Sequence, residues 1–425
     1  MAAGEGDKPG LRRELGFGDA VGIGFGAIVG AGIFAVTGIA AGVAGPAVLV
    51  ALPLAGVAAT ANALSSAELA ASYPQAGGTY EYGYRVLHPW AGFAAGWMFL
   101  ASKTAAAGTV GLAIAAYLER IAPGVPGRAV ALAAIAVFTA VNALGIRKSS
   151  AANLLIVAAA TGVLLAFAAA GAARFDAANL HPFATTGPGG VLRAAALLFF
   201  AYTGYARVAT LGEEVRDPRH TIPRAILATV AGVSVLYLLV TFAAVGSVGA
   251  EVLARTDAPL AEAARAMGIP ALETAVSAGA LAAMLGVLLS QLLGLSRMVF
   301  AMARRGDLPG ALAAVDARSG APVRAVVLVG AGAALAAAFG TLRAIAPAAS
   351  FAILLYYALA NLAALRMPRA RKLYPDAVPA VGLAACALLA ASLDVRTALV
   401  GMAVLAAGFA VRAAVRALAG VARRD

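Results

Sequence analysis

Lys103 is the residue of this sequence whose position most directly suggests chemistry, because it lies near the middle of the apolar run GWMFLASKTAAAGTVG. A lysine inside a membrane span costs about 3 kcal/mol on insertion scales and is a functional-site hypothesis by default. Its amine could pick up and release a proton, or it could stand where a sodium ion sits in a sodium-driven protein. The structural alternative is a strut that donates hydrogen bonds to the carbonyls of a broken helix.

A second candidate is the glycine-rich segment GIGFGAIVGAGIFAVTG, with glycine at positions 22, 24, 26, 30, 32 and 38. Glycine costs a helix interior about 1 kcal/mol relative to alanine, so Gly30-Ala31-Gly32 is a weak place to continue a helix. A helix broken in mid-bilayer exposes amides from one half and carbonyls from the other, which suits a small zwitterion. Small residues at such spacing also allow close helix packing, and this segment alone does not separate the two interpretations.

Other polar residues carry weaker signals. Glu213 and Glu214 could be paired acids, but the arginines around them favour a charge network in a loop. Arg207 could close an inner path as a gate or extend its side chain to the membrane surface. The three histidines lie far apart and the single cysteine, Cys386, lies in an apolar run, so we expect neither a metal site nor a disulfide. The sequence contains no phosphate-binding loop and no catalytic constellation, so we expect no cofactor and no enzymatic activity.

The composition requires a membrane. Of the 425 residues, 62% are hydrophobic and only 12% are charged, and the apolar residues fall in runs of span length. These runs predict an all-α polytopic protein with twelve transmembrane helices. The net charge of +12 could indicate nucleic-acid binding, but the basic residues follow the predicted topology. With the N-terminus inside, most lysines and arginines fall on the inner face. The outer face holds Arg120, Arg128, Arg174, Arg193, Arg255, Arg265, Arg343 and Arg396.

We therefore expect a multi-pass protein of the cytoplasmic membrane with both termini cytoplasmic. The spans divide into two units of five, at about 19–172 and 191–366, followed by two helices at about 378–418, within one transmembrane domain over 1–425. A repeated unit with an odd number of spans must be inverted, and inverted repeats are typical of transporters. The sixth span carries Ala201-Tyr202-Thr203-Gly204-Tyr205, a glycine among bulky residues at a depth equivalent to Gly30. We expect spans 1 and 6 to be unwound at mid-membrane.

Several stretches resemble the amino acid–polyamine–organocation superfamily. They are GAIVGAGIF, AGPAVLVALPLAG, AELAASYPQAGGTYEY, FFAYTGYARVATLGEEVRDPRHTIPRAI and SRMVFAMARRGDLP. Together they cover spans 1 to 8, whereas the last four spans agree in hydropathy more than in motif. The resemblance implies a LeuT-like bundle with a 5+5 inverted repeat that alternates access to a central amino acid site.

The resemblance also implies which residues bind substrate. The carboxylate of an amino acid would meet the backbone around Ile28, Val29, Gly30, Ala31 and Gly32. Its α-amino group would meet the carbonyls of Phe200, Ala201 and Thr203, next to Gly204. Phe200 would act as a lid, and Lys103 would border the same cavity, with Lys103, Phe200 and Arg207 as coupling or gating residues.

Two departures from the family pattern bear on coupling. Some proton-coupled relatives carry a lysine in the fifth span, where this sequence has Ala160. Toward its middle, the eighth span offers hydroxyls only at Ser277 and Ser290, which makes a sodium site built from mid-span hydroxyls unpromising. We expect secondary active transport of amino acids by alternating access, as proton-coupled symport of neutral amino acids. The alternative is a cationic amino acid or polyamine exchanger, which a cation at Lys103 disfavours, and a membrane amino acid sensor without transport ranks lower.

Overall fold

Helices form the named elements of the computed structural model, which describes residues 15–73, 77–145, 150–205, 208 and 215–421. The first eight are α1 (Phe17–Ile28), α2 (Thr37–Ala44), α3 (Val48–Ser72), α4 (Thr79–Tyr82), α5 (Pro89–Ile121), α6 (Gly127–Ala143), α7 (Ser150–Ala172) and α8 (Gly187–Tyr202). The others are α9 (Pro218–Val248), α10 (Ala250–Ala254), α11 (Pro259–Ala266), α12 (Pro270–Arg304), α13 (Val323–Phe339), α14 (Leu342–Arg366), α15 (Ala377–Ser392) and α16 (Val395–Val421).

Many of these helices have the length and composition of membrane spans. Within the described ranges, 7 helical stretches are long and apolar enough to cross a bilayer, one of them the interrupted stretch Phe17–Ser72. Three shorter apolar helices, α6, α13 and α15, accompany them. Large hydrophobic side chains such as Val57, Leu155 and Phe339 are exposed on the outside of the bundle, as lipid contact requires. The chain is therefore a polytopic membrane protein.

The most extensive helix packing in the bundle involves α5, which packs against α14, α12, α6 and α13. Small residues permit this approach: a Cβ built on Gly108 would lie 2.8 Å from the Cβ of Ala336. Alongside, α3 packs against α8 and α9, and α2 packs against α8. The two segments that carry the predicted breaks thus lie inside the bundle, enclosed by α3, α5, α9 and α12.

Hydrogen bonds between loops identify the two ends of the bundle. At the end where α1 begins, which we call the N-terminal face, the amide of Arg216 donates to the carbonyl of Leu15 over 2.9 Å. This contact accompanies an isolated parallel β-bridge between Leu15 and Val215. At the other end, the opposite face, the amide of Ala47 donates to the carbonyl of Phe183 over 3.0 Å.

Candidate functional site

The first helix is interrupted where its glycines predict. α1 ends at Ile28, and Val29 follows in an extended conformation with φ −71° and ψ 104°. The chain then enters a π-helical segment, Gly32–Val36, that leads directly into α2. Because the first N–H groups of a helix have no partner within it, this restart leaves backbone donors around Gly30 to Gly32 for another acceptor.

Tyrosines from neighbouring helices hold both sides of this interruption. The hydroxyl of Tyr237, on α9, donates to the carbonyl of Ile28 over 3.0 Å. The hydroxyl of Tyr117, on α5, donates to the carbonyl of Phe34 over 2.5 Å. Both tyrosines are fully buried, and Tyr237 satisfies a carbonyl at the end of α1 that the break would otherwise leave unpaired in an apolar environment. Sequence reasoning missed these residues, and their only signal was a polar aromatic in the middle of an apolar run.

The second interruption follows α8. This helix ends at Tyr202 and passes into a 3-10 turn, Thr203–Tyr205. The hydroxyl of Thr203 donates to the carbonyl of Phe200 over 2.9 Å and is itself buried. Phe200 and Ala201 are buried as well, with 8% and 5% of their surface exposed. Arg207, predicted as a gating residue, lies outside the described residues, as do Glu213 and Glu214.

The fold brings the two interruptions into contact. A Cβ built on Gly32 would overlap the Cβ of Ala201 and lie 2.6 Å from its Cα. A Cβ built on Gly204 would overlap the carbonyl of Ala27 and lie 2.7 Å from the amide nitrogen of Ile28. Each glycine is therefore required for close approach of the other segment. The residues predicted from the two spans form one buried cluster: Ile28, Val29, Gly30, Ala31, Gly32, Phe200, Ala201 and Thr203, with Gly204 partly buried at its edge.

Lys103 belongs to the same cluster. Its Nζ donates to Oγ1 of Thr203 over 2.8 Å, which joins the middle of α5 to the turn after α8. From α12, Nε2 of Gln291 donates to the backbone carbonyl of Lys103 over 2.5 Å. Since Thr203 also contacts the carbonyl of Phe200, a charge on Lys103 acts directly on the second interruption. Sequence reasoning identified Lys103 but neither its acceptor nor Gln291, which lies in α12.

A small gap lies beside the first interruption, next to Ala160 of the predicted fifth span. It has a volume of about 10 Å³, close to the space that one water molecule needs. The gap is surrounded by aliphatic residues and glycines: Gly26, Val29, Ile156, Val157, Ala160, Ala283 and Gly286. Nearby in α12, the hydroxyl of Ser290 donates to the carbonyls of Gly286 and Val287, both over 3.0 Å. Within the described part of the chain, no side-chain oxygen therefore lines this gap.

A buried ion pair closes the bundle at the N-terminal face. Asp307, which follows α12 and is fully buried, accepts from Nε of Arg412 over 2.8 Å. It also accepts from the hydroxyls of Tyr80 and Tyr84 over 2.8 and 2.5 Å. Arg416 contributes a further contact over 3.1 Å from a half-exposed position. This cluster ties α4, the segment after α12 and α16 together. Sequence reasoning placed both arginines among the inner-face charges and missed the pairing.

The helices and their paired interruptions define a multi-pass membrane protein, and comparison with known proteins identifies its family. The chain belongs to the amino acid permease family, whose model matches residues 19–417. It is therefore a membrane transporter of that family and not an enzyme.

Individual relatives agree with this assignment. An uncharacterized transporter of Mycobacterium tuberculosis is 44% identical over 406 residues, covering 94% of this chain and 90% of the relative. The branched-chain amino acid permease BcaP of Bacillus subtilis is 29% identical over 396 residues, covering 88% of this chain and 84% of the relative. Cationic amino acid transporter 5 of Arabidopsis thaliana is 30% identical over 337 residues, covering 76% of this chain and 59% of the relative.

Proposed function

We propose that this protein moves neutral amino acids across the cytoplasmic membrane by proton-coupled symport with alternating access. The contact between the two helix interruptions, Gly32 against Ala201, is the observation that carries the proposal. This contact brings the N-terminal end of one half-helix next to the C-terminal end of another, and the amides and carbonyls expected at such ends match the two charges of an α-amino acid. Membership of the amino acid permease family supports the same substrate class.

The helix inventory supports a bundle of twelve spans. The stretch Phe17–Ser72 contains two, because it is interrupted at Val29 and turns at Gly45–Ala47. The others correspond to α5, α6, α7, α8 with the turn after it, α9, α12, α13, α14, α15 and α16. In this arrangement the first and sixth spans carry the interruptions, which fits two inverted units of five followed by two helices. The surplus of basic residues in the loops predicted at the N-terminal face supports a cytoplasmic location for both termini.

We assign the coupling role to Lys103. It donates a hydrogen bond to Thr203 over 2.8 Å and so links a titratable group to the turn beside the proposed substrate site. A change in its charge alters the hydrogen bond that holds this turn. A sodium-coupled mechanism has less support, because the gap at Ala160 is lined by aliphatic side chains and glycine. The backbone of Gly30 and Gly32 can hold any α-amino acid, so side-chain selectivity must arise elsewhere.

Exchange of cationic amino acids or polyamines is the second candidate. It is favoured by the similarity to a plant cationic amino acid transporter. It is disfavoured by the position of Lys103, since like charges repel in a site of low polarity.

Uptake into proteoliposomes tests the proposal. The purified protein is reconstituted and presented with a radiolabelled panel of neutral, acidic and basic amino acids, with and without an imposed pH gradient. Protein-free liposomes and the Gly32→Ala variant serve as controls. We expect uptake of neutral amino acids that an inward proton gradient accelerates. Uptake that ignores the gradient but requires internal substrate would establish exchange instead, and the absence of uptake for the whole panel would refute amino acid transport.

A further inference from the structure

A second cavity opens on the opposite face of the bundle. Its volume is about 390 Å³, within the range of small-molecule pockets. Helices α2, α8 and α14 contribute to its wall, together with α10 and the link between α15 and α16. Its apolar side is formed by Ile39, Val43, Leu197, Pro347 and Leu393. The cavity is thus large enough for an amino acid and is separate from the cluster around Lys103 and Thr203.

Charged side chains of both signs line this cavity. Arg193 and Arg343 are exposed to it, and Asp394 provides the opposite charge. Arg343 is anchored by donating to the carbonyl of Ala254, and Arg193 donates to the carbonyl of Ser392 over 3.4 Å. A guanidinium has five donors, so both arginines keep N–H groups for a ligand. Thr397 donates its hydroxyl and its amide to Asp394 and thereby lowers the pKa of that carboxyl, which stays ionised at neutral pH.

The cavity lies on the same two half-helices that lead to the interruptions. Val43 is one wall residue, and the helix from Gly32 to Val43 spans about 16 Å at 1.5 Å per residue. From Phe200 to Arg193 the corresponding distance along α8 is about 10 Å. The cavity therefore lies about 10–16 Å along these half-helices from the proposed substrate site, toward the opposite face.

We propose that this cavity is a capture site for the carboxylate of zwitterionic or anionic amino acids before they reach the central site. Arg193 and Arg343 bind the carboxylate, and Asp394 faces the α-ammonium. Two cations against one anion leave a net positive wall, which concentrates carboxylates and repels solutes with a cationic side chain. This inference rests on the proposed function, because it assigns the first step of the same transport path.

Thiol labelling tests the electrostatics without any need for transport. Val43→Cys places a reactive thiol in the wall, while the native Cys386 is buried and serves as the unreactive background. In nanodiscs, we expect an anionic methanethiosulfonate to react at least about fivefold faster than a cationic one, after correction for their reactivity with a free thiol. Adding Arg193→Gln and Arg343→Gln should abolish that preference. Equal rates before and after the arginine substitutions would overturn the proposal.

Protection from labelling tests the ligand. L-leucine and L-glutamate should slow the reaction at Val43→Cys, whereas L-leucinol, which lacks the carboxylate, and L-lysine should protect less. The same protection is expected when Gly32→Ala is added to block the central site. Protection that disappears with Gly32→Ala would show that the cavity responds only to distant binding, and the capture site would then be wrong.

Uptake separates this inference from the proposed function. Arg193→Gln with Arg343→Gln should raise the KM for a neutral amino acid about tenfold, which corresponds to about 1.4 kcal/mol, with little change in maximal rate. The matched control is Arg128→Gln with Arg174→Gln, which removes two exposed arginines from the same face away from the cavity. Each arginine is also changed singly, so that a poorly folded double variant does not decide the outcome. Normal wild-type uptake with an unchanged KM in the variants would refute the capture site and leave the transport function standing.

Discussion

Lys103 and Thr203 connect the middle of α5 to the turn that follows α8 through a hydrogen bond of 2.8 Å from Nζ to Oγ1. The same hydroxyl of Thr203 donates to the carbonyl of Phe200 over 2.9 Å. The pair therefore joins a titratable group to the backbone that we assign to the amino group of the substrate. Coupling between proton and substrate then requires no long-range pathway.

Substitution of Lys103 should remove the effect of a proton gradient. In Lys103→Ala we expect gradient-driven uptake to fall to the level without a gradient, while exchange persists. Lys103→Arg should behave similarly, because a guanidinium keeps its proton throughout the cycle. Thr203→Val is the matched variant that retains the amine but removes its acceptor, and it should weaken the gradient effect without eliminating it. Full stimulation by the gradient in Lys103→Ala would contradict the coupling role.

Gly32→Ala should abolish transport, because the new methyl group would overlap Ala201. Overpacking of this kind costs about 1–3 kcal/mol in a closed cluster. Combining it with Ala201→Gly should restore uptake in part, since one of the two colliding groups is removed and the Cα of residue 201 remains. Gly162→Ala is the control, as its Cβ would meet nothing within 4 Å. Initial rates in proteoliposomes measure each effect, and a fully active Gly32→Ala would disprove the close approach.

Transport should not depend on sodium. Among the residues that the structure describes, none offers a cation a side-chain oxygen in the gap between α1, α7 and α12. Replacing sodium by choline at constant pH and ionic strength should leave initial uptake rates unchanged. A loss of more than half of the uptake would indicate a sodium site elsewhere in the protein.

Arg412→Gln should destabilise the protein strongly, because it leaves the buried carboxylate of Asp307 without its closest cation. Breaking a buried ion pair from one side typically costs about 3–5 kcal/mol. Arg416→Gln is the matched comparison, since Arg416 contacts the same carboxylate but is 52% exposed, and its loss should cost about 1 kcal/mol or less. Adding Asp307→Asn to Arg412→Gln should recover part of the stability. Thermal unfolding in detergent provides the measurement, and equal midpoints for the two arginine variants would contradict this assignment.

The interruption of the first helix was predictable because its cause is local. Glycines at 30 and 32 weaken the helix whatever surrounds them, and α1 does end at Ile28. The importance of Lys103 was equally predictable, since a cation within an apolar run has a free-energy cost of membrane insertion that depends on the local sequence alone. The polytopic membrane class and the amino acid permease family also followed from the sequence, and the family comparison confirms the latter. The twelve-span inverted repeat and the substrate contacts stay predictions.

The partners of these residues were not predictable. Which side of α5 faces the turn after α8 depends on how several helices pack, and only that packing places Thr203 at the end of the Lys103 side chain. The same holds for the pair of Asp307 and Arg412, which are separated by 105 positions. The sequence shows that both are charged and near a membrane surface, but not that they pair. The sequence by itself determined where helices break and where charge is costly, because those are properties of short segments. Tertiary structure decided which breaks and charges meet, because contact between distant segments depends on the shape of the whole bundle.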